Sequence, residues 1–133
     1  MKEKIQLSGC AIIDKDKLLV LWKIKHLHYE FPGGKVKLGE TFEETAIREA
    51  REEIGCEVKI IKYLGYKEFT IDGNDFRSHK YLARLKDGQK PKVMEPDKFK
   101  EIFWLPMKDY KKYSVAKNLA EFCEDYISGK LKI

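Results

Sequence analysis

Long apolar runs are missing from this chain of 133 residues: nothing in it approaches the roughly 18–20 uninterrupted apolar residues of a membrane span. Met1-Lys2-Glu3-Lys4 lacks the apolar stretch of a secretory signal. The expectation is a cytoplasmic protein with no membrane partner. Cysteine is scarce, and Cys10, Cys56 and Cys123 are widely spaced with no Cys-x-x-Cys among them. That argues against a disulfide framework and a thiolate zinc site and leaves three reduced core residues. With only four prolines and nine glycines, collagen-like and low-complexity classes are out. No repeat and no linker interrupts the chain, so residues 1–133 read as one domain.

Enough apolar material remains for a core, with hydrophobic residues at 43% and aromatics at 12%, well above the composition of a disordered tail. The formal charge of +5 hides an asymmetry. Residues 40–53 hold six acids (Glu40, Glu43, Glu44, Glu49, Glu52, Glu53) against two bases (Arg48, Arg51), a net of −4, which leaves +9 for the remainder. An acidic knot in a basic surround fits metal ions holding a polyanion better than a plain nucleic-acid-binding face.

Strand-like runs at 5–13 and 17–22 flank Asp14-Lys15-Asp16, whose turn chemistry predicts a hairpin. Residues 23–39 have no clear period. Within them Phe31-Pro32-Gly33-Gly34 predicts an irregular, shaped loop whose paired glycines permit unusual backbone angles. Thr41 with Glu44 reads as a capping box and Gly55 as a C-terminal stop, so the spacing predicts a helix over 42–54. Further strands are expected at 58–63, 66–71 and 78–85, with a turn at 72–75. Residues 86–98 read as a polar loop and 99–105 as a short apolar run. Val115, Leu119, Phe122 and Tyr126 recur at helical spacing in a last helix ending near Gly129. This order implies an α+β fold, an α/β/α sandwich with a mixed sheet between helices.

Projected at 100° per residue, Phe42, Ala46, Ile47, Ala50 and Ile54 fall within about 140° and define a buried stripe. Glu53, Glu49 and Glu52 lie beside it at about 20°, 340° and 280°, so three carboxylates share one flank. Such neighbours repel by about 0.2–0.5 kcal/mol per pair on an isolated helix, and Glu53 at the core edge adds a desolvation cost. Arg48 and Arg51 project at about 240° and 180°, mostly to solvent. A hard divalent cation, Mg2+ or Mn2+, compensates better. The plainer reading of a charge run is a solvated face; the spacing around this one decides against it.

Gly34, five residues, Glu40, seven residues, Arg48-Glu49-Ala50, one residue, Glu52-Glu53, one residue, Gly55-Cys56 resembles the Nudix box of the Nudix hydrolases. That pattern is Gly-x5-Glu-x7-Arg-Glu-U-x-Glu-Glu-x-Gly-U, with U a bulky aliphatic. All seven fixed positions match, a coincidence on the order of 10⁻⁸ per start position at average residue frequencies. The departures are Ala50 and Cys56 at the aliphatic positions. Phe31-Pro32-Gly33-Gly34-Lys35 is similar to the family's entry loop. Met94-Glu95-Pro96-Asp97-Lys98, leading to Trp104, is similar to a stretch in MutT-like members that act on nucleoside triphosphates.

The resemblance implies metal-dependent hydrolysis of a nucleoside diphosphate linked to another group. By matched position Arg48, Glu49, Glu52 and Glu53 would be catalytic, with Glu49, Glu52 and Glu53 holding Mg2+ or Mn2+ and a backbone carbonyl of Gly33 or Gly34 as a further ligand. Arg48 would orient Glu49, and Glu40 would support the cluster. Glu95 and Glu101 are the candidates for one more acid from outside the box, Glu95 being placed with the metal set. Lys35 could meet a phosphate. Tyr29, Phe31, Phe69, Tyr81, Trp104, Tyr110 and Tyr113 are aromatics that could stack on a nucleobase or simply pack in the core. Of these, Phe31, Tyr81 and Trp104 join Lys35 and Glu40 as substrate-binding candidates. His26-x-His28 reads as surface loop for want of a third ligand nearby. His79 faces either substrate or core.

The leading expectation is a nucleoside triphosphate, canonical or oxidised, cleaved to nucleoside monophosphate and pyrophosphate. The alternatives are an ADP-sugar, a dinucleoside polyphosphate or an RNA 5′ end, other nucleic acid being disfavoured. The ADP-ribose group usually carries a proline shortly past the box, and none lies between Pro32 and Pro91. A non-catalytic nucleotide-binding module would be expected to lose box acids, which this chain keeps. Oligomeric state is open, a homodimer included.

Overall fold

A computed structural model describes residues 3–133. β1 (Ile5–Asp14) and β2 (Lys17–Lys23) form the expected hairpin. Its two-residue turn, Lys15-Asp16, has positive φ at both positions (51° and 64°), the backbone that matches the twist of a tight antiparallel hairpin. After β3 (His28–Glu30) and β4 (Gly33–Lys35) come α1 (Phe42–Ile54), β5 (Val58–Ile71), β6 (Asn74–Leu85), β7 (Phe99–Pro106), a 3-10 segment (Met107–Lys112) and α2 (Lys117–Ile127). The sheet is mixed. β1 runs parallel to β6 and antiparallel to β2 and β4, β5 flanks β6, and β3 and β7 both pair with β2.

Alternation along the two central strands builds a core on each face. Cys10 and Ile12 of β1 and Leu19 and Leu21 of β2 pack with Ala46, Ala50 and Ile54 of α1. Ala11, Leu18 and Val20 point the other way, to Leu119, Phe122 and Cys123 of α2. The architecture is therefore the expected α/β/α sandwich. All three cysteines are free and buried. Among the described residues no helix is long and apolar enough to cross a membrane.

Two strand boundaries differ from expectation. Residues 58–71 form one strand, because the interruption at Leu64-Gly65 is a bulge, where the pairing register shifts between Tyr63 and Tyr66. β6 begins at Asn74, since Asp72-Gly73 alone makes the turn, with φ of 50° and 77°.

The helix carrying the acids is closed at both ends by its own sequence. Thr41 Oγ1 accepts the Glu44 N–H at 3.1 Å while the Thr41 N–H donates to Glu44 Oε1 at 2.9 Å. Gly55, at φ 66°, donates its N–H to the Arg51 carbonyl. Thr41→Ala is expected to cost about 1 kcal/mol of stability, seen as a lower urea midpoint with unchanged slope. A midpoint equal to the parent's would show the cap to be idle.

Candidate active site

The loop expected at Phe31-Pro32-Gly33-Gly34 is in part a strand. β4 pairs with β1 in the register Leu7↔Lys35, Ser8↔Gly34 and Gly9↔Gly33, and neither Gly33 nor Gly34 has a positive φ. These glycines supply space, not unusual angles. A Cβ on Gly34 would stand 2.2 Å from Glu49 Oε1. Gly9, not singled out from sequence, is as tight against a stiffer neighbour, its Cβ falling 2.2 Å from the Pro32 carbonyl oxygen. Its one sequence signal is a lone glycine inside a strand-like run, a mark of close backbone approach.

That approach brings the backbone onto the carboxylates of α1. Glu53, only 6% exposed, accepts the Gly33 N–H at 2.9 Å. Glu49 lies against Gly34, and Glu52, more open to solvent, accepts from Arg48 Nη1 at 2.9 Å. Arg48 corrects the projection to solvent. Its guanidinium is largely buried and turns back to Glu40 (Nε to Oε2, 2.6 Å), Glu49 (3.3 Å) and the Lys35 carbonyl (3.0 Å). A long side chain can lay its stem along the surface and aim its head away from its Cβ direction. Glu40 also accepts from the Thr45 hydroxyl at 2.6 Å and the Lys37 N–H at 3.1 Å. The Arg48 hydrogen bond, then that of Thr45, hold its carboxyl down at about 2. Arg51 does face solvent, paired with Glu57 at 2.6 Å.

Arg48 answers only part of this negative charge. Burial, and after it the charge of Glu49, push Glu53 up to about 9, against the Gly33 N–H and Lys23, which pull it down. Glu49 is raised by burial, opposed by Arg48 and reinforced by Glu52. Both acids also feel Glu95. The chain before Glu95 docks on the end of α1, with the Lys92 N–H on the Ile54 carbonyl (3.0 Å) and the Met94 N–H on the Glu53 carbonyl (3.2 Å). Glu101 is instead held by the Tyr29 hydroxyl at 2.5 Å. Carboxylates raised by burial and by one another, beside a cleft that a single Cβ would fill, form an oxygen donor set that fits a hard divalent cation.

A raised carboxyl stabilises the fold in its protonated form. That contribution is complete below the ordinary value of 4.5 and is lost as pH climbs to about 9. In chelator-treated protein Tm should therefore fall from about pH 5 to 8, and Glu53→Gln, which cannot ionise, should flatten the fall. Parallel Tm curves for the two proteins would remove Glu53 as its cause.

A cavity of about 570 Å³ opens beside the box, its wall including Phe31, Gly33, Gly34, Phe69, Lys80 and Asn118. That is the size of an ordinary small-molecule site. Tyr81 and Trp104 do not line it. Strand alternation turns Lys80 of β6 to the cavity and its neighbour Tyr81 to the α1 side, where Trp104 of β7 also packs. Tyr29, Tyr110 and Tyr113 pack on the α2 side. Lys35 lends its carbonyl to Arg48 and exposes its side chain, while Glu40 is linked to Glu49 and Glu52 through Arg48. Lys80, marked by no motif, holds its ammonium 3.9 Å from the centre of the Phe31 ring, and burial pulls it down to about 8. His79 is core: it is buried, stacked on Phe42 at 3.7 Å, and bonded to Tyr63 (2.8 Å) and Gln6 (2.7 Å).

A family model described as NUDIX domain matches residues 6–126. YtkD of Bacillus subtilis, provisionally named an 8-oxo-dGTP diphosphatase, is 62% identical over 37 residues, 28% of this chain and 23% of its own length. MutT4 of Mycobacterium tuberculosis, provisionally named a mutator protein, is 32% identical over 109 residues, 76% of this chain and 43% of its own length. The chain thus spans less than half the length of either relative. A MutT NUDIX hydrolase from Burkholderia pseudomallei superposes with a TM-score of 0.84 at 22% identity, over 92% of this chain and 98% of that one, a likeness of fold.

Proposed function

The chain belongs to the NUDIX domain family, and on that premise we propose that it is a metal-dependent hydrolase of a nucleoside diphosphate linked to a further group. Its substrate is a nucleoside triphosphate, canonical or oxidised, cleaved to nucleoside monophosphate and pyrophosphate. The observation that carries this reading is the buried Glu53 pinned by the N–H of Gly33, with Glu49 beside it against Gly34, the two glycines belonging to the cavity wall. The partial identity to YtkD is in keeping with a triphosphate.

Glu49, Glu52 and Glu53 would hold Mg2+ or Mn2+, with Glu95 and a carbonyl of Gly33 or Gly34 as further oxygens. A divalent cation bound there neutralises diphosphate charge and acidifies a water for attack on phosphorus. The protein's own work is placement, as in other phosphoryl transfers. The Gly33 N–H fixes the Glu53 carboxylate. Arg48, anchored on Glu40, keeps Glu52 and Glu49 together and is a positioning residue. The base would lie along the cavity wall that Phe31 and Lys80 share, where the Lys80 ammonium stands over the buried Phe31 ring.

The test is product analysis with Mg2+ over canonical and oxidised triphosphates, ADP-ribose, a dinucleoside polyphosphate and a 5′-capped RNA. Pyrophosphate with nucleoside monophosphate is the expected pair. Inert triphosphates beside a turned-over ADP-ribose, dinucleoside polyphosphate or RNA end would overturn the substrate assignment. No turnover of any would leave a binding module.

A further inference from the structure

Apart from the box acids, a cluster of metal-ligating side chains stands on the rim of the cavity. His26 Nδ1 and His28 Nε2 each lie 2.9 Å from the same carboxylate oxygen, Glu30 Oε2, and one ligand atom from each residue falls within 4.8 Å of the other two. The third ligand beside His26-x-His28, not singled out from sequence, is Glu30. Strand alternation puts His28 and Glu30 on one face of β3. His26 precedes that strand, and the left-handed Leu27, at φ 54°, turns the chain so that His26 rejoins them. All three residues line the cavity.

We propose that His26, His28 and Glu30 bind one borderline transition-metal ion of the Zn2+ type, at a site separate from the carboxylates of α1. Two imidazoles and a carboxylate are the donors that zinc takes in sites with three protein ligands and one open position. Mg2+, which demands oxygen, does not compete there. Tetrahedral zinc, at about 2.0–2.1 Å from nitrogen, spaces its ligand atoms about 3.3 Å apart. The two nitrogen–oxygen distances of 2.9 Å would open slightly, and the two nitrogens, within 4.8 Å of each other, would settle to the same spacing around the ion. Because the three side chains line the cavity, the open position can be reached from it, by water or by a donor atom of a bound nucleotide. The charge of Lys80 reaches Glu30 and opposes a cation. The site does not rest on the proposed hydrolysis.

The test titrates Zn2+ into the full chain under excess Mg2+, read by competition with a chromophoric chelator. It is repeated with Co2+, whose visible absorption reports tetrahedral coordination. One equivalent of Zn2+ is expected, bound at least about tenfold more weakly by His28→Ala and by Glu30→Gln, a loss that even an outer partner of a ligand can cause. The Co2+ band should vanish in His28→Ala and survive in Glu53→Gln, which alters the box instead. These side chains are exposed or half-buried, so far-ultraviolet circular dichroism of both rim variants should match the parent. No zinc uptake by the parent, rim variants within twofold of its affinity, or a Co2+ band lost in Glu53→Gln but kept in His28→Ala would overturn the proposal.

Discussion

Replacing Glu53 by glutamine should lower kcat with Mg2+ by at least about a hundredfold, the loss that follows removal of a charge-organising group at a reacting centre. The amide oxygen still accepts the Gly33 N–H, which Glu53 now takes at 2.9 Å, so shape and hydrogen bond survive while the negative charge does not. Glu53 is held up at about 9, first by burial and then by Glu49, so ionising it near neutral pH works against the fold. The chelator-treated variant should therefore melt no lower than the parent at pH 8. Activity lost at an equal or higher Tm separates a role in chemistry from a role in folding. Turnover within a few-fold of the parent's would refute the assignment.

Gly9→Ala should have the largest effect on stability. Its Cβ would stand 2.2 Å from the Pro32 carbonyl oxygen and 2.9 Å from Gly33 Cα, and neither backbone atom can rotate away. β1 and β4 must part at Gly9↔Gly33, which also strains the Cys10 N–H to Pro32 carbonyl bond of 3.0 Å. Overpacking of this kind costs about 1–3 kcal/mol, and a lost hydrogen bond about 1 more. Denaturant unfolding should show a loss of about 2–4 kcal/mol. Because Gly33 carries the hydrogen bond to Glu53, turnover should also fall at temperatures where the variant remains folded. A fully stable, fully active Gly9→Ala would mean that the two strands do not meet so closely.

The acidic helix was legible because its signals are local: Thr41 and Glu44 close one end, Gly55 the other, and the acids keep their spacing whatever packs on them. The two cores were legible in one apolar stripe on each helix, Ala46, Ala50 and Ile54 on α1 and Leu119 and Phe122 on α2. The strand at Gly33–Lys35 was not, since two glycines carry no strand propensity and only pairing with β1 orders them. Alternation along β6 puts Lys80 and Tyr81 on opposite faces, but which face meets the cavity depends on what packs across the sheet. Sequence alone therefore marks Tyr81 as an aromatic and gives Lys80 no mark. Arg48 was misplaced because a helical projection locates Cβ atoms, and its guanidinium travels further than that. The His26, His28 and Glu30 cluster depended on one left-handed residue, Leu27, a conformation that leucine seldom announces.

The central claim is that the carboxylates of Glu49, Glu52 and Glu53 converge on a divalent cation that grips a diphosphate. A crystal grown with Mn2+ and a non-hydrolysable nucleoside triphosphate tests it through anomalous scattering. The account predicts manganese bonded to oxygens of these three side chains and to phosphate oxygens of the analogue, with the base beside Phe31. An analogue seated in the cavity with no anomalous density among the three carboxylates would contradict it.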